Sequence, residues 1–441
     1  MRIGRVAIAG LIGLTRCWTG AAAEDGIEAV YLQTLQPYAA AETAHGEEAT
    51  VDRSSMHGKV LCGYQGWFNA PGDGAERGWV HWSRSRESLG DGQATFELWP
   101  DMSELTAAER FATNFRRDDG SPAEVFSSFV RPTVLRHFDW MEDYGIDGVL
   151  VQRFAVSLGN EASLRHNNAV LAHCREGANR HGRTYAVMYD LSGLSEGGTQ
   201  RVIDDWRQLA TQMDVTGDEA YLRHAGKPVV AVWGIGFGDG RRYSLTDCRR
   251  LVDFFKDEAI PGGCTLMLGV PAYWRTLDRD SLADPALHEV LARADILSPW
   301  TVGRYGSPEE AARYVDRTLE GDLRWCGERE IELMPVAFPG FSWHNLRRGA
   351  TPLDQIPRLG GEFLWRQFRE FQSAGAGMAY VAMFDEVDEA TAIFKCAVHP
   401  PESERSRFLE FAEPSDHYLR LTGAATAHFH NRTPLPAAMP Q

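Results

Sequence analysis

The chain lacks a cluster of positive charge, a long apolar run in its body and any closely spaced cysteine pair. Each absence removes a class of function. Lys and Arg number 45 against 61 Asp and Glu, giving a formal net charge of -16 with no basic run anywhere. Phosphate backbones are held by clustered Lys and Arg, so this balance argues against nucleic acid and for a neutral ligand. After the N-terminal residues, no segment reaches the ~18 uninterrupted apolar residues of a membrane span, so no integral membrane segment is expected in the mature chain. The cysteines at 62, 174, 248, 264, 326 and 396 are scattered, with no C-x-x-C spacing. That pattern indicates neither a zinc knuckle nor a dithiol redox centre; several of these thiols are expected to be buried, and disulfides after export stay open, with no pairing readable from sequence. "GIGFGDG", Gly234 to Gly240, lacks the full nucleotide fingerprint. No metal and no cofactor are expected.

What is present describes a globular protein: 44% apolar and 24% charged residues, with 13 Trp, 13 Tyr and 21 Phe. The N-terminus carries "MRIGR", the apolar "VAIAGLIGL" and the small-residue "GAAAED". This pattern predicts a signal peptide over residues 1–23, cleaved near Ala23, and a secreted or periplasmic product. Cys17 follows Arg16, the wrong residue type for a lipid-attachment cysteine. Residues 24–57 read as a linker or N-terminal extension with room for one helix.

From Lys59 a rhythm begins. "KVLCGYQGWF", "DGVLVQRF", "TYAVMYDL", "KPVVAVWGI", "CTLMLGV", "ADILSPW", "IELMPVAF" and "GMAYVAMFDE" are short and near-continuously apolar, as parallel strands buried on both faces are. Helical patterns alternate with them. One runs from a cap at Asn160; another has Ser307 as cap, Pro308 in the first turn and Glu310 at the capping-box position. Eight strands alternating with helices predict an α/β fold, a (β/α)8 TIM barrel over residues 58–398, with an open doubly wound sheet as the alternative. Asn69 to Ser128 is too long for one helical connection and is expected on the rim where the βα-loops build a site. Residues 399–441 form a Pro-rich tail expected to pack against the barrel.

In such a barrel, functional groups collect at the C-terminal ends of strands. There the sequence places Tyr64 and Trp67, Gln152 and Arg153, Tyr189 and Asp190, Trp233, Tyr273 and Trp274, Trp300, Arg304 and Tyr305, then Trp343 and His344. Rings that stack on sugar C–H faces, beside amides and charges that bond hydroxyls, suit an oligo- or polysaccharide. After the last strand, "AMFDEVDEATAIF" gathers Asp385, Glu386, Asp388 and Glu389. Glycoside hydrolysis needs one protonated and one ionised carboxyl, and crowding raises one of the pKa values. Glu386 and Glu389 are therefore the expected catalytic pair, with Asp385 beside them. The competing readings are a sugar-gripping rim without catalysis, a calcium site that lacks known loop spacing, and a solvated acidic loop.

"FDEVDEAT" resembles the W-N-E-W-H-E-G-T signature of glycoside hydrolase family 99, the endo-α-mannosidases, and the W-N-D-F-G-E pattern of family 71, the α-1,3-glucanases. "GVLVQRF", "LGVPAYWRTL", "DILSPWTVGRY" and "FPGFSWHNL" extend the resemblance to proteins described as family 71/99-like, over about Lys59 to Lys395. The resemblance implies a (β/α)8 barrel acting on an α-linked glycan. It implies for Glu386 the role of a base on the sugar's own 2-hydroxyl, giving an anhydro-sugar, and for Glu389 that of general acid/base. Val387, Asp388 and Ala390 depart from the family's tryptophan, histidine and glycine, so linkage and sugar identity do not transfer.

Overall fold

The computed structural model describes residues 20–36, 50–258, 263–411 and 414–440. The apolar core of the expected signal peptide lies outside the described residues, as do residues 37–49 of the expected linker. The helix α1 (Gly20–Leu35) contains the expected cleavage point near Ala23, and its later turns bury Val30, Tyr31 and Leu35. Cleavage there would leave that docked face on the chain.

The eight apolar runs are eight parallel strands: β1 (Val60–Tyr64), β2 (Gly148–Phe154), β3 (Thr184–Asp190), β4 (Lys227–Trp233), β5 (Thr265–Pro271), β6 (Ile296–Trp300), β7 in two pieces (Glu332–Leu333 and Val336–Ala337) and β8 (Ala379–Val381). β2 pairs with both β1 and β3, and β1 pairs in turn with β8. Pro335, which has no N–H to donate, sits between the two pieces of β7. The first piece pairs with β6 and the second with β8, and this broken strand closes the (β/α)8 barrel.

Helices follow the strands: α2 (Arg131–Asp143), α3 (Glu161–Arg180), α4 (Gln200–Gln212), α5 (Leu245–Lys256), α6 (Ala286–Leu291), then α7 (Pro308–Tyr314) continuing through a π turn into α8 (Glu320–Gly327), and α9 (Glu362–Ser373). The last, α10 (His417–Asn431), comes from the C-terminal segment and packs on α9 and β1. Local chemistry accounts for the starts. Asn160 accepts from the Ser163 N–H at 2.9 Å, and Ser307 from the Glu310 N–H at 3.2 Å. Among the described residues the six cysteines are buried, and no helix is long and apolar enough to cross a membrane.

Candidate functional site

The acidic turn sits at the C-terminal end of β8 and is held from several sides. Asp385 is fully buried and its two oxygens accept the Gln65 and Gly66 N–H groups, each at 2.8 Å, tying the turn to the end of β1. Arg358 donates to the Ala390 and Ala392 carbonyls at 2.9 and 2.7 Å, while its guanidinium lies 4.0 Å from the Tyr418 ring centre. Ser342 N–H donates to the Glu389 carbonyl at 3.0 Å. The long insertion after β1 closes the remaining side: the Glu97 N–H donates to the Val387 carbonyl, and His81 bonds Asp388 at 2.9 Å.

The carboxyls so held differ in surroundings. Glu386 is 3% exposed; Gln65 Nε2 donates to its Oε1 and the Thr391 hydroxyl to its Oε2, both at 2.9 Å. Burial first, and then the charges of Glu389 and Asp388, push its pKa well above the usual range. Glu389 is half-buried, and burial followed by Asp388 raises it to about 8, opposed by Trp343 and Arg347. Burial raises Asp388 to about 8 and Asp385 to about 7. Glu97, wholly buried behind the turn, is raised to about 8 by the same cause. His81 is pushed down to about 3 by burial and by Arg77 and Arg86. The His81–Asp388 contact has ion-pair distance, yet burial drives both partners towards their neutral forms. The imidazole is also capped by Trp67, stacked at 3.8 Å between ring centres with planes 5° apart.

A second wall lies across the mouth. Asp190 accepts the Ser192 N–H at 2.6 Å, and Arg241 opposes the rise that burial imposes on its pKa. Arg241 also lies 4.9 Å from the Trp233 ring centre, and Trp233 meets half-buried Trp300 edge-on at 5.4 Å. Gln65 Oε1, Trp67 Nε1, Gln152 Oε1, Trp233 Nε1 and Asp388 Oδ1 are buried with no hydrogen-bond partner among the described residues. Buried polar atoms are rarely left so. All five belong to residues at the strand ends or on the acidic turn.

Several expected substrate contacts are structural instead. Tyr64 is fully buried and hydrogen-bonds His137 of α2 at 2.8 Å. Arg153 makes a fully buried ion pair with Asp205 of α4, which also accepts from Tyr189 at 2.6 Å and from Tyr31 of α1. Trp274 is enclosed, edge-on to Trp325. Tyr305 is buried and donates to Gln367 at 3.1 Å, and Arg304 pairs with Asp280 at 2.6 Å. Asp385, as described, braces the turn. Tyr273 is half-buried beneath Arg279, 4.1 Å from its ring centre. His344 is half-exposed, its Nδ1 bonded to the Thr351 carbonyl at 2.8 Å. Trp343 lies beside Glu389 with Arg347 4.6 Å from its ring centre. The structure thus brings Trp67, Gln152, Asp190, Trp233, Trp300 and Trp343 towards the mouth with the two glutamates. It sets Gln65, also at the end of β1 in the sequence reading, against Glu386, and adds His81, Glu97, Arg241 and Arg358.

Two donor groups could hold a metal ion among the described residues: His57, His224 and Glu332, and Asp139, Glu142 and His181. Both lie away from the acidic turn. In the first, His224 Nδ1 accepts the Met56 N–H at 3.1 Å, so the proton sits on Nε2 facing Glu332 and no lone pair is offered there.

No protein-family model matches the chain, and no curated protein matches it. Its fold is similar to that of the GH99 endo-alpha-mannosidase from Bacteroides thetaiotaomicron, with a TM-score of 0.60 at 14% identity over 86% of this chain and 99% of that one. The same enzyme in complex with bis-tris-propane gives 0.59 at 15% identity, over 86% of this chain and 99% of that one. A glycoside hydrolase-like protein gives 0.50 at 13% identity, over 87% of this chain and 98% of that one. At these identities the likeness is one of fold: a (β/α)8 barrel of nearly the same extent.

Proposed function

We propose that the chain is a glycoside hydrolase that cleaves an α-linked glycan at the C-terminal mouth of its barrel, with Glu386 and Glu389 as the acid/base pair, and that it works after export. The observation that carries this reading is the placement of both glutamates on one braced turn after β8, where burial and neighbouring charge raise both pKa values. A pair so placed keeps a proton at neutral pH, as leaving-group protonation requires. Hydrogen bonds donated to both Glu386 oxygens oppose the rise that burial imposes on that carboxyl, and Glu389 is the less buried of the two. Glu389 is then the acid towards the glycosidic oxygen and Glu386 the base, the same division that the resemblance to family 99 implies. The similar barrels of glycoside hydrolases support the reaction class, and the signal-like N-terminus supports export.

The test is a panel of α-mannans, α-glucans and aryl glycosides, with Glu386→Gln and Glu389→Gln beside the wild type. Product from the wild type is expected to fall by roughly 10²- to 10⁴-fold in each variant, with melting temperature preserved. Full activity in both variants would overturn the assignment. Tight glycan binding without product from any of them would favour a sugar-binding protein, a reading that Val387 and Asp388 between the glutamates motivate. N-terminal sequencing of the exported protein checks the cleavage near Ala23.

A further inference from the structure

On the rim beside the acidic turn lies a hollow of about 460 Å³, bounded by Arg84, Gln93, Asn345, Arg348, Arg405 and Ser406. Three guanidinium groups line it and no carboxylate does, in a chain whose net charge is -16. The three are not equally engaged. Arg405 pairs with Asp91 at 3.2 Å. Arg84 uses Nη1 on the Ala94 and Gln93 carbonyls, at 2.5 and 3.4 Å, while its Nη2 is buried without a hydrogen-bond partner among the described residues. Arg348 is exposed, and its charge acts on Arg84 in the same direction as burial, disfavouring the cation. Like charges around one hollow repel, and an anion between them removes that repulsion.

The hollow is joined to the catalytic turn. Asn345, in its wall, donates its N–H to Glu97 at 2.5 Å and its side-chain amide to the Phe96 and Arg407 carbonyls, each at 2.6 Å. The same loop carries Trp343, and Ser342, whose N–H holds the Glu389 carbonyl at 3.0 Å. A ligand anchored here is a near neighbour of whatever sits over the glutamates.

We propose that this hollow is a subsite for an anionic substituent, a carboxylate or a sulfate ester, on a sugar flanking the scissile bond. The position of that sugar rests on the hydrolase reading; the anion site itself does not. Guanidinium presents a planar fork of donors that matches both oxyanions. Bulk charge pointed to a neutral ligand, but the rim differs locally from the whole. The acidity of the rest of the chain repels a dense polyanion, so the fit is to a sparsely charged glycan.

Calorimetric titration at low ionic strength tests this with three probes: sodium sulfate, methyl α-glucuronide and methyl α-glucoside. The wild type is expected to bind at least one anion, and Arg84→Gln/Arg348→Gln to bind it about tenfold or more weakly, a loss of about 1.4 kcal/mol. Binding of the glucuronide alone assigns a carboxylate, and of sulfate alone a sulfate ester. Exposed Arg348→Gln by itself is expected to weaken anion binding, so a double variant that fails to fold leaves the question answerable. Absence of anion binding by the wild type, or undiminished binding by the folded variants, overturns the proposal. Absence of product from the wild type on every glycan of the panel would sink the hydrolase reading while leaving the anion titration to decide this one.

Discussion

The proton shared by Glu386 and Glu389 fixes the alkaline limit of the proposed chemistry. Both carboxyls titrate upward from their usual range, Glu389 to about 8, and a coupled pair reports its protons as macroscopic steps. As pH rises through about 8 the acid is lost, so kcat/KM on a neutral glycan should decline above that value by about tenfold per unit. A profile flat to pH 10 would contradict a carboxyl acid. The same turn holds a residue in an unfavourable conformation. Ala390 lies at φ 55°, the left-handed region that costs an L-residue roughly 1–2 kcal/mol, and it stands where the family 99 signature has glycine. Glycine loses ~0.5–1 kcal/mol of backbone entropy in return. Ala390→Gly is therefore expected to raise stability by several tenths of a kcal/mol, read as a small rise in urea midpoint. A lowered midpoint would mean that the methyl group packs. The position of the acidic turn after the last strand was legible because four acids follow an apolar run. The aromatic and cationic contacts were half legible, because side chains alternate along a strand. Gln152 and Asp190 share the mouth, while their neighbours Arg153 and Tyr189 point outward to Asp205 on α4. His81, Glu97 and Arg358 were not legible, since only the folding of distant segments onto the turn gives them a role.

At the scale of elements, strands and helices were readable because burial on both faces leaves a continuous apolar run and caps mark helix starts. The break in β7 was not anticipated: "IELMPVAF" reads as one strand, and Pro335 divides it. The packing of the C-terminal segment on the barrel was expected, but its helix α10 was hidden, because the Pro-rich composition before it reads as a tail. Its packing shows in one residue. A Cβ built on Gly423 would lie 1.7 Å from the Tyr144 carbonyl oxygen at the end of α2, so the backbones of α10 and α2 approach too closely for any side chain. Gly423→Ala must push α10 away, and overpacking of this kind costs about 1–3 kcal/mol. Because Arg358 links the acidic turn to Tyr418 on α10, activity should fall together with the melting temperature. Unchanged melting would show that α10 shifts freely and is not a barrel element.

For the molecule as a whole, opposing sets of buried groups decide how stability follows pH. Asp385 and Asp322 are raised to about 7, and Glu97, Asp388 and Glu389 to about 8, all chiefly by burial. Each keeps in the folded state a proton that the unfolded chain releases near pH 4, so each lowers stability as pH rises from there to its folded value. Burial acts the other way on histidine: His81, His137 and His166 fall to about 3 and His173 to about 4. The unfolded chain holds those protons up to about 6.5, so these four add stability as pH rises to that point and nothing beyond it. Below about 6.5 the two sets oppose each other; between about 6.5 and 8 only the carboxyls act, and the net slope is downward. Urea unfolding of the wild type is therefore expected to show a decline in stability across that upper window. Asp388→Asn, which removes one of the titrating groups and keeps its shape, should make the decline shallower. A stability that rises between pH 6.5 and 8, or a slope that Asp388→Asn leaves untouched, would mean that the turn's carboxyls are already ionised, and the shared proton assigned to Glu389 would have to be given up with them.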